Sequence, residues 1–301
     1  MTPPKVQPSN LPAWRLLDDL HTVRAMLVFL AILAVLFFAS FLVTWAGFAL
    51  AIVDSEEKWR VDADFVSLFV REWTERVLLW LTSPLGWGQN ETANFKPGGI
   101  ERPVVLVPDR RNNRVSLWPL QAYLQSRGFS WTARLNLQPS KADVPTLAKR
   151  LSDRIDQIQR QTHAEQVDLV GHGVGGVVCA WMLANCPKPE RVRSLVTIGA
   201  PWSGTKTWTL TKEDDLAPQN ANFETLDPTI CPTTTLWSRT SPRVIPNRSA
   251  APDSTERVEV TQMAHLDFLF SARTFELVAN ALRNPPKTAP EEDNAGNPQD
   301  T

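Results

Sequence analysis

Residues 167–176 read Val167-Asp168-Leu169-Val170-Gly171-His172-Gly173-Val174-Gly175-Gly176. Four of the chain's 13 glycines fall within the last six of these positions. The apolar run that opens the stretch predicts a short buried strand, and the residues from Val174 to Asn185 predict a helix. Small residues at 171 and 175 allow a strand and a helix to approach closely. The stretch therefore predicts a strand, a tight turn and a helix packed on that strand.

The flanking segments alternate between strand and helix patterns. Strands are predicted over residues 104–107, 131–137, 167–170, 195–198, 233–238 and 257–260. Helices are predicted over residues 118–127, 144–158, 174–185 and 272–283, with Asp143 as the N-cap of the second. Strands separated by helices favour a mostly parallel sheet covered on both faces. Such sheets carry their functional sites at the carboxyl ends of the strands.

A long uncharged segment precedes this pattern. Residues 25–53 contain no charge and lie between Arg24 and Asp54. As a helix they would extend about 43 Å, more than the roughly 30 Å of a bilayer core. The segment predicts a single transmembrane helix. Ala49-Leu50-Ala51 resembles a signal-peptidase site, but the apolar run is longer than the 7–15 residues typical of a cleaved signal, which favours an uncleaved anchor.

The charges beside this helix bear on its orientation. Three basic residues, Lys5, Arg15 and Arg24, precede it, and two, Lys58 and Arg60, follow it. Because basic residues favour the cytoplasmic side, the difference of one charge slightly favours a cytoplasmic N-terminus. The following domain is then expected on the non-cytoplasmic side of the membrane.

A second helix is predicted over residues 61–81. Apolar residues recur at helical spacing through Phe65, Phe69, Trp73 and Val77, with charged residues between them. One interpretation is a helix packed on the domain behind it. The alternative is a helix lying in the membrane interface, to which tryptophans at 59, 73 and 80 are suited.

Charge and cysteine content exclude several classes. The chain has 31 basic and 32 acidic residues, which argues against a nucleic-acid partner. Its three cysteines form no C-x-x-C pair, and we expect neither a metal site nor a cofactor. Cys179 is expected in the core, whereas Cys186 and Cys231 can pair only if the domain is extracytoplasmic and they lie close together.

Three segments in order carry a family resemblance. The turn Gly171-His172-Gly173-Val174-Gly175 resembles the nucleophile elbow, usually G-x-S-x-G, of bacterial lipase/esterase-like α/β-hydrolases. Residues 190–205 resemble the strand and turn of that family, and Ala264-His265-Leu266 resembles its catalytic-histidine loop. The resemblance covers residues 101–284 and implies the α/β-hydrolase fold and a carboxylic-ester hydrolase ancestry.

The predicted organisation follows from these segments. It comprises an N-terminal tail (1–24), a transmembrane helix (25–53), an amphipathic helix and linker (54–100), an α/β-hydrolase domain (101–284) and a disordered polar tail (285–301).

The resemblance also identifies a catalytic set that this chain lacks in part. Gly173 stands at the nucleophile position and Ser241 at the position of the acid. The oxyanion-hole region comprises Pro108, Asp109 and Val174, where a proline removes one N–H donor and an aspartate adds negative charge. Of the triad, His265 alone is retained. The elbow itself is completed by Gly171, His172, Gly175 and Gly176.

Substitutes for the missing groups are conceivable. Asp253 or Asp267 would have to act as a displaced acid, or Ser203 as another nucleophile, although no base is matched to Ser203. The free N–H groups at the start of the elbow helix, Val174 to Gly176, offer a docking position for a carboxylate or phosphate headgroup.

Three functions are consistent with these residues. The favoured one is a membrane-anchored, catalytically inactive hydrolase-fold protein that binds a lipid, an acyl ligand or a protein. The alternative is an active lipase/esterase-like hydrolase with non-standard residues, which requires a reactive Ser or Cys beside His265. The third is a structural protein in which the two N-terminal helices are the functional parts and the domain is a spacer.

Overall fold

The computed structural model describes residues 13–54, 59, 61–88, 94–95, 99–100 and 102–287. The predicted C-terminal tail lies outside the described residues beyond position 287, as does the predicted N-terminal tail before position 13. The chain forms two compact units, Met1–Val43 and Thr44–Thr301.

The first helix, α1, runs from Ala13 to Asp54. Its part from His21 to Asp54 is long and apolar enough to cross a membrane and is a candidate span. The boundary between the two units falls inside the predicted span rather than at its end. The reason is that Phe48, which is fully buried, packs edge-on against Phe65 and Phe69 of the second unit at 5.3 Å.

The remaining helices and strands alternate along the second unit. The helices are α2 (Ala63–Thr82), α3 (Trp118–Ser126), α4 (Val144–Thr162), α5 (Val174–Asn185), α6 (Trp208–Thr211) and α7 (Ala272–Arg283). The strands are β1 (Asn94–Phe95), β2 (Val104–Val107), β3 (Trp131–Arg134), β4 (Val167–His172), β5 (Val192–Ile198), β6 (Thr233–Trp237) and β7 (Glu256–Glu259).

The described strands form one sheet in the order β1-β3-β2-β4-β5-β6-β7. Strands β2 to β7 are parallel, and the two-residue strand β1 pairs antiparallel with β3 at the edge. The parallel arrangement confirms the predicted fold class. Strand β3 is shorter than the predicted strand over 131–137, because its register with β2 ends at the pair Leu106 and Arg134.

Side chains of the central strands alternate between two cores. Val105 and Val107 of β2 contribute to the cluster formed with α4 and α5, whereas Val104 and Leu106 contribute to the cluster formed with α3 and α7. Because every residue of β2 and β4 is buried, both faces of the sheet are covered, as expected of a parallel sheet.

Helix α2 packs on the domain. Asp62 caps it by accepting a hydrogen bond from Phe65 N, and the helix buries Phe65, Leu68, Glu72, Arg76 and Leu79. This agrees with the interpretation of a helix packed on the domain. Two of its buried residues, Glu72 and Arg76, are charged, and Glu72 bonds to the loop described below.

Candidate functional site

The predicted elbow has the geometry of a sharp strand-to-helix turn. Strand β4 ends at His172, helix α5 begins at Val174, and Gly173 between them has φ +54° and ψ −126°. A Cβ at Gly171 would lie 2.5 Å from Gly176 Cα, and one at Gly175 would lie 2.4 Å from Pro108 O. The flanking glycines are therefore required for the close approach of strand and helix.

A carboxylate lies where a side chain at position 173 would project. A Cβ placed on Gly173 would lie 2.8 Å from Asp109 Oδ1 and 3.1 Å from His265 Nε2. Asp109 Oδ1 accepts a hydrogen bond of 3.0 Å from Val174 N, the first N–H of α5. The donor that an oxyanion would need is thus bonded to the protein's own carboxylate.

This carboxylate is buried and paired. Asp109 is 1% exposed, and Arg243 Nη2 lies 3.3 Å from its Oδ2 atom. Burial raises the pKa of the Asp109 carboxyl, but Arg243, the two nearby histidines and the Val174 N–H outweigh it and hold the pKa well below its usual range. Asp109 is therefore ionised at neutral pH and places a fixed negative charge at the elbow.

His265 is buried and electrically neutral. It is 2% exposed, and its Nδ1 atom lies 3.4 Å from the Oγ atom of Ser241, the residue predicted at the position of the acid. His172 Nε2 lies 3.2 Å from His265 O. Burial, with the nearby His172 and Arg243, lowers the pKa of His265 well below its ordinary value. A neutral imidazole with a lowered pKa is a weak proton acceptor.

The two displaced-acid candidates have other partners. The side chain of Asp253 is 95% exposed and pairs with Arg257. Asp267 accepts a hydrogen bond from Ala264 N and pairs with Arg71 at 3.1 Å. The hydrogen bond recorded at His265 Nδ1 is to Ser241, so the displaced-acid hypothesis has no support in the described contacts.

Helix α2 holds the His265 loop from behind. Glu72 Oε2 accepts a 2.7 Å hydrogen bond from Leu266 N, and its Oε1 pairs with Arg76 Nη2 at 2.7 Å. Arg76 also donates to Thr44 Oγ1 at 2.9 Å. Burial raises the pKa of Glu72 and lowers that of Arg76 to about 10, so the guanidinium remains charged at neutral pH.

Sequence reasoning missed these charged groups. Arg243 lies two residues after Ser241, in the turn that resembles the family's acid loop, and its sequence position alone does not indicate a partner. Glu72 and Arg76 carry a signal that could have been used, since two opposite charges stand four residues apart on a predicted helix.

At the start of α5, where docking of an external anion is predicted, two of the three N–H groups are already bonded. Val174 N is bonded to Asp109, and Gly176 N donates to Gly173 O at 3.0 Å. Gly173 and Val174 are buried as well. A headgroup would have to displace a buried carboxylate that is already paired with Arg243.

The remaining candidates do not converge on His265. Ser203 is exposed and lines a surface cavity of about 980 Å³ whose lining residues do not include His265. Cys179 is buried, and burial raises the pKa of its thiol, which makes it unreactive. All three cysteines are free, so the disulfide considered between Cys186 and Cys231 is not formed. Within the described residues, no group of three or more His, Cys, Asp or Glu side chains could hold a metal ion.

Comparisons with known proteins agree with this fold. A family model described as "alpha/beta hydrolase fold" matches residues 105–254. No curated protein matches the sequence.

Solved structures of lipases share the fold at low identity. Aspergillus fumigatus lipase B is 17% identical with a TM-score of 0.54, over 66% of this chain and 57% of that one. This chain thus spans less than two thirds of that lipase. The mature form of Bacillus licheniformis lipase BlEst2 is 15% identical with a TM-score of 0.51, over 65% of this chain and 96% of that one.

The chain has the α/β-hydrolase fold, with a parallel six-stranded sheet flanked by helices. The family model covers residues 105–254, just under half of the chain, and the lipase structures share this fold.

Proposed function

We propose that this chain is a membrane-anchored α/β-hydrolase domain that does not hydrolyse esters and acts by binding a partner. The observation that carries the proposal is the Asp109 carboxylate, which lies against the elbow where a nucleophile would project and bonds to Val174 N.

Three requirements of acyl transfer are unmet at once. Gly173 supplies no nucleophile, Asp109 places negative charge where negative charge would develop, and Ser241 cannot stabilise an imidazolium at His265. Removal of the nucleophile alone lowers the kcat of a serine hydrolase by about 10⁶-fold. A serine hydrolase without its nucleophile keeps a residual rate that substrate binding and the oxyanion hole supply. The Asp109 carboxylate at the oxyanion site and the missing acid at position 241 should lower that residual rate further.

The closed elbow favours a binding function at the surface over one inside an acyl crevice. Asp109, Val174, Ser241 and His265 are each at most 6% exposed. A fatty-acyl chain has no access to such a set without rearrangement of the surrounding loops. We therefore place the partner, a protein or a lipid, on the outside of the domain.

The alternative of an active hydrolase has one observation in its favour. It requires a serine beside His265, and Ser241 Oγ lies 3.4 Å from His265 Nδ1. However, Ser241 is 2% exposed, and the neighbouring Asn247 Nδ2 already donates to the carbonyls of Ser241 and Val244. A serine that substrate cannot reach does not act as a nucleophile.

Ester hydrolysis by the full-length protein in detergent micelles distinguishes the two functions. We expect wild-type protein and His265→Asn to match the protein-free blank with short- and medium-chain p-nitrophenyl esters. His163→Asn, at an exposed histidine, is the matched control. Turnover that His265→Asn abolishes and His163→Asn leaves intact would show that the domain is an active enzyme.

A triple variant tests whether the remaining crevice is intact. Gly173→Ser, Ser241→Asp and Asp109→Gly together restore a nucleophile and an acid and remove the blocking carboxylate. Hydrolysis by this variant, absent from wild type, would show that the substituted positions alone silence the domain.

We propose a non-cytoplasmic domain, because the basic residues before the span outnumber those after it by one. Protease added to sealed inside-out vesicles should leave the domain intact, whereas degradation there would place it in the cytoplasm.

A further inference from the structure

Helix α2 buries two of its five charged residues, Glu72 and Arg76, against the domain and exposes apolar side chains on the opposite face. Its outer face is defined by Val66, Val70, Leu78 and Leu81, which are 44–53% exposed. At 3.6 residues per turn, Leu81 lies about 180° around the helix from Glu72. The side chain of Glu72 is 0% exposed. A helix that packs on a soluble domain and faces water would carry charged or polar residues at these outer positions.

Each charged residue of α2 interacts with another residue of the domain and lies outside the outer face. Glu72 and Arg76 pair with each other, and Arg71 donates to Gln262 O at 2.7 Å. Asp64 accepts from Gln262 Nε2 at 3.3 Å. Glu75, the fifth, faces Asp267, and burial together with that carboxylate raises its pKa to about 10. The outer face carries no charge at all.

More exposed apolar residues continue from this helix. Leu85 and Trp87, in and just after the turn that ends α2, are more than 70% exposed. Trp45 of α1 is half exposed and packs edge-on against Phe69 of α2, with 6.2 Å between the ring centroids. Large contiguous apolar surfaces of this kind mark membrane or partner contacts rather than water-facing surface.

We propose that the outer face of α2 lies in the interfacial region of a lipid bilayer. The inference does not depend on whether the domain is catalytically silent. It adds a second membrane contact to the candidate span and assigns the domain a fixed orientation on the membrane surface.

The chain itself argues for a bilayer rather than a protein partner. Residues 44–54 of α1 belong to the same compact unit as α2 and are the last turns of the candidate span. Phe48 in these turns packs on Phe65 of α2, and only eight residues separate the end of α1 from the start of α2. Tryptophans such as Trp45 and Trp87 are typical of the membrane–water boundary.

The test measures lipid contact at single positions of the full-length protein. Val70→Cys and Leu81→Cys, each in a Cys186→Ser background, are labelled with an environment-sensitive fluorophore and reconstituted into phosphatidylcholine vesicles. Arg160→Cys is the matched control, because Arg160 is an exposed residue of α4, which lies on the other face of the sheet. Some of the lipid carries a nitroxide near the headgroup end of its acyl chain.

We expect strong nitroxide quenching and a blue-shifted emission at positions 70 and 81, with neither at 160. An interfacial helix buries its apolar face about 5–10 Å into the headgroup boundary, which places the labels beside the nitroxide. Near-ultraviolet circular dichroism of each variant confirms that the domain is folded.

Two results would overturn the proposal. Quenching at 70 and 81 equal to that at 160 would place the face in water. A blue shift without lipid quenching would show that protein, such as a second copy of the chain, covers the face.

Discussion

A side chain at position 173 should collide with the Asp109 carboxylate, and Gly173→Ala measures that collision. The new Cβ would lie 2.8 Å from Asp109 Oδ1 and 2.9 Å from Asp109 Cγ. Contacts of this length force the carboxylate to rotate away from Val174 N. The variant should therefore suffer backbone strain, because alanine rarely adopts a positive φ, and it should lose the hydrogen bond between Val174 N and the Asp109 carboxylate.

The magnitude follows from these two contributions. A non-glycine residue in a sparsely populated backbone region costs about 1–3 kcal/mol. The hydrogen bond from Val174 N to an ionised carboxylate contributes about 1.5–3 kcal/mol. In an Asp109→Ala background the second contribution is already gone, so Gly173→Ala should cost only the first. The coupling free energy between the two positions is therefore about 1.5–3 kcal/mol.

Thermal unfolding of the full-length protein in detergent micelles provides the measurement. At about 2–4 °C per kcal/mol for a domain of this size, the coupling corresponds to a difference of roughly 3–12 °C in Tm. Gly128→Ala is the control, because Gly128 has φ +90° and nothing within 4 Å of the added Cβ. Its effect should be the same with and without Asp109. Additive effects of Gly173→Ala and Asp109→Ala would refute the placement of the carboxylate.

Three further predictions concern buried charge. Because the folded-state pKa of His265 lies well below 6.5, the unfolded chain takes up a proton that the folded protein rejects, and stability should fall as the pH drops below about 6.5, by about 1.4 kcal/mol per pH unit for this histidine. His265→Asn should remove this part of the pH dependence. The free energy of unfolding is measured by urea unfolding between pH 5 and 6.5, and the same pH dependence in wild type and variant would contradict a buried neutral histidine. Glu72→Met should lower the free energy of unfolding by about 3–5 kcal/mol by leaving Arg76 buried and unpaired, and adding Arg76→Met should recover part of it; no recovery would show that the pair is not the cause. Asp168→Ala should cost about 3–5 kcal/mol, because this fully buried carboxylate pairs with two arginines, whereas the exposed Asp253→Ala should change stability by less than about 1 kcal/mol; equal losses would contradict the buried network.

The elements of the sheet could be predicted from the sequence because their signals are local. The helices over 174–185 and 272–283 end at the predicted residues, and Asp143 caps α4 through Thr146 N as expected. Apolar runs and capping residues act within a few positions of one another, so their pattern is readable without knowledge of the fold.

The candidate site was predictable only in its composition. The glycine at 173, the serine at 241 and the histidine at 265 were identified by comparison with a motif, and the structure places all three around one point. Their interactions were not predictable, because they depend on residues far apart in the chain. Arg243 reaches Asp109 across 134 positions, and Glu72 reaches Leu266 across 194.

The sequence by itself determined the order of strands and helices, the tight turn at Gly171 to Gly176, the apolar span and the absence of a side chain at position 173. Only the tertiary structure decided that the elbow is occupied by the Asp109 carboxylate and that α2 buries the Glu72–Arg76 ion pair. The physical reason is that hydrophobic periodicity is set by neighbours along the chain, whereas a buried charge is stable only beside partners that folding brings to it.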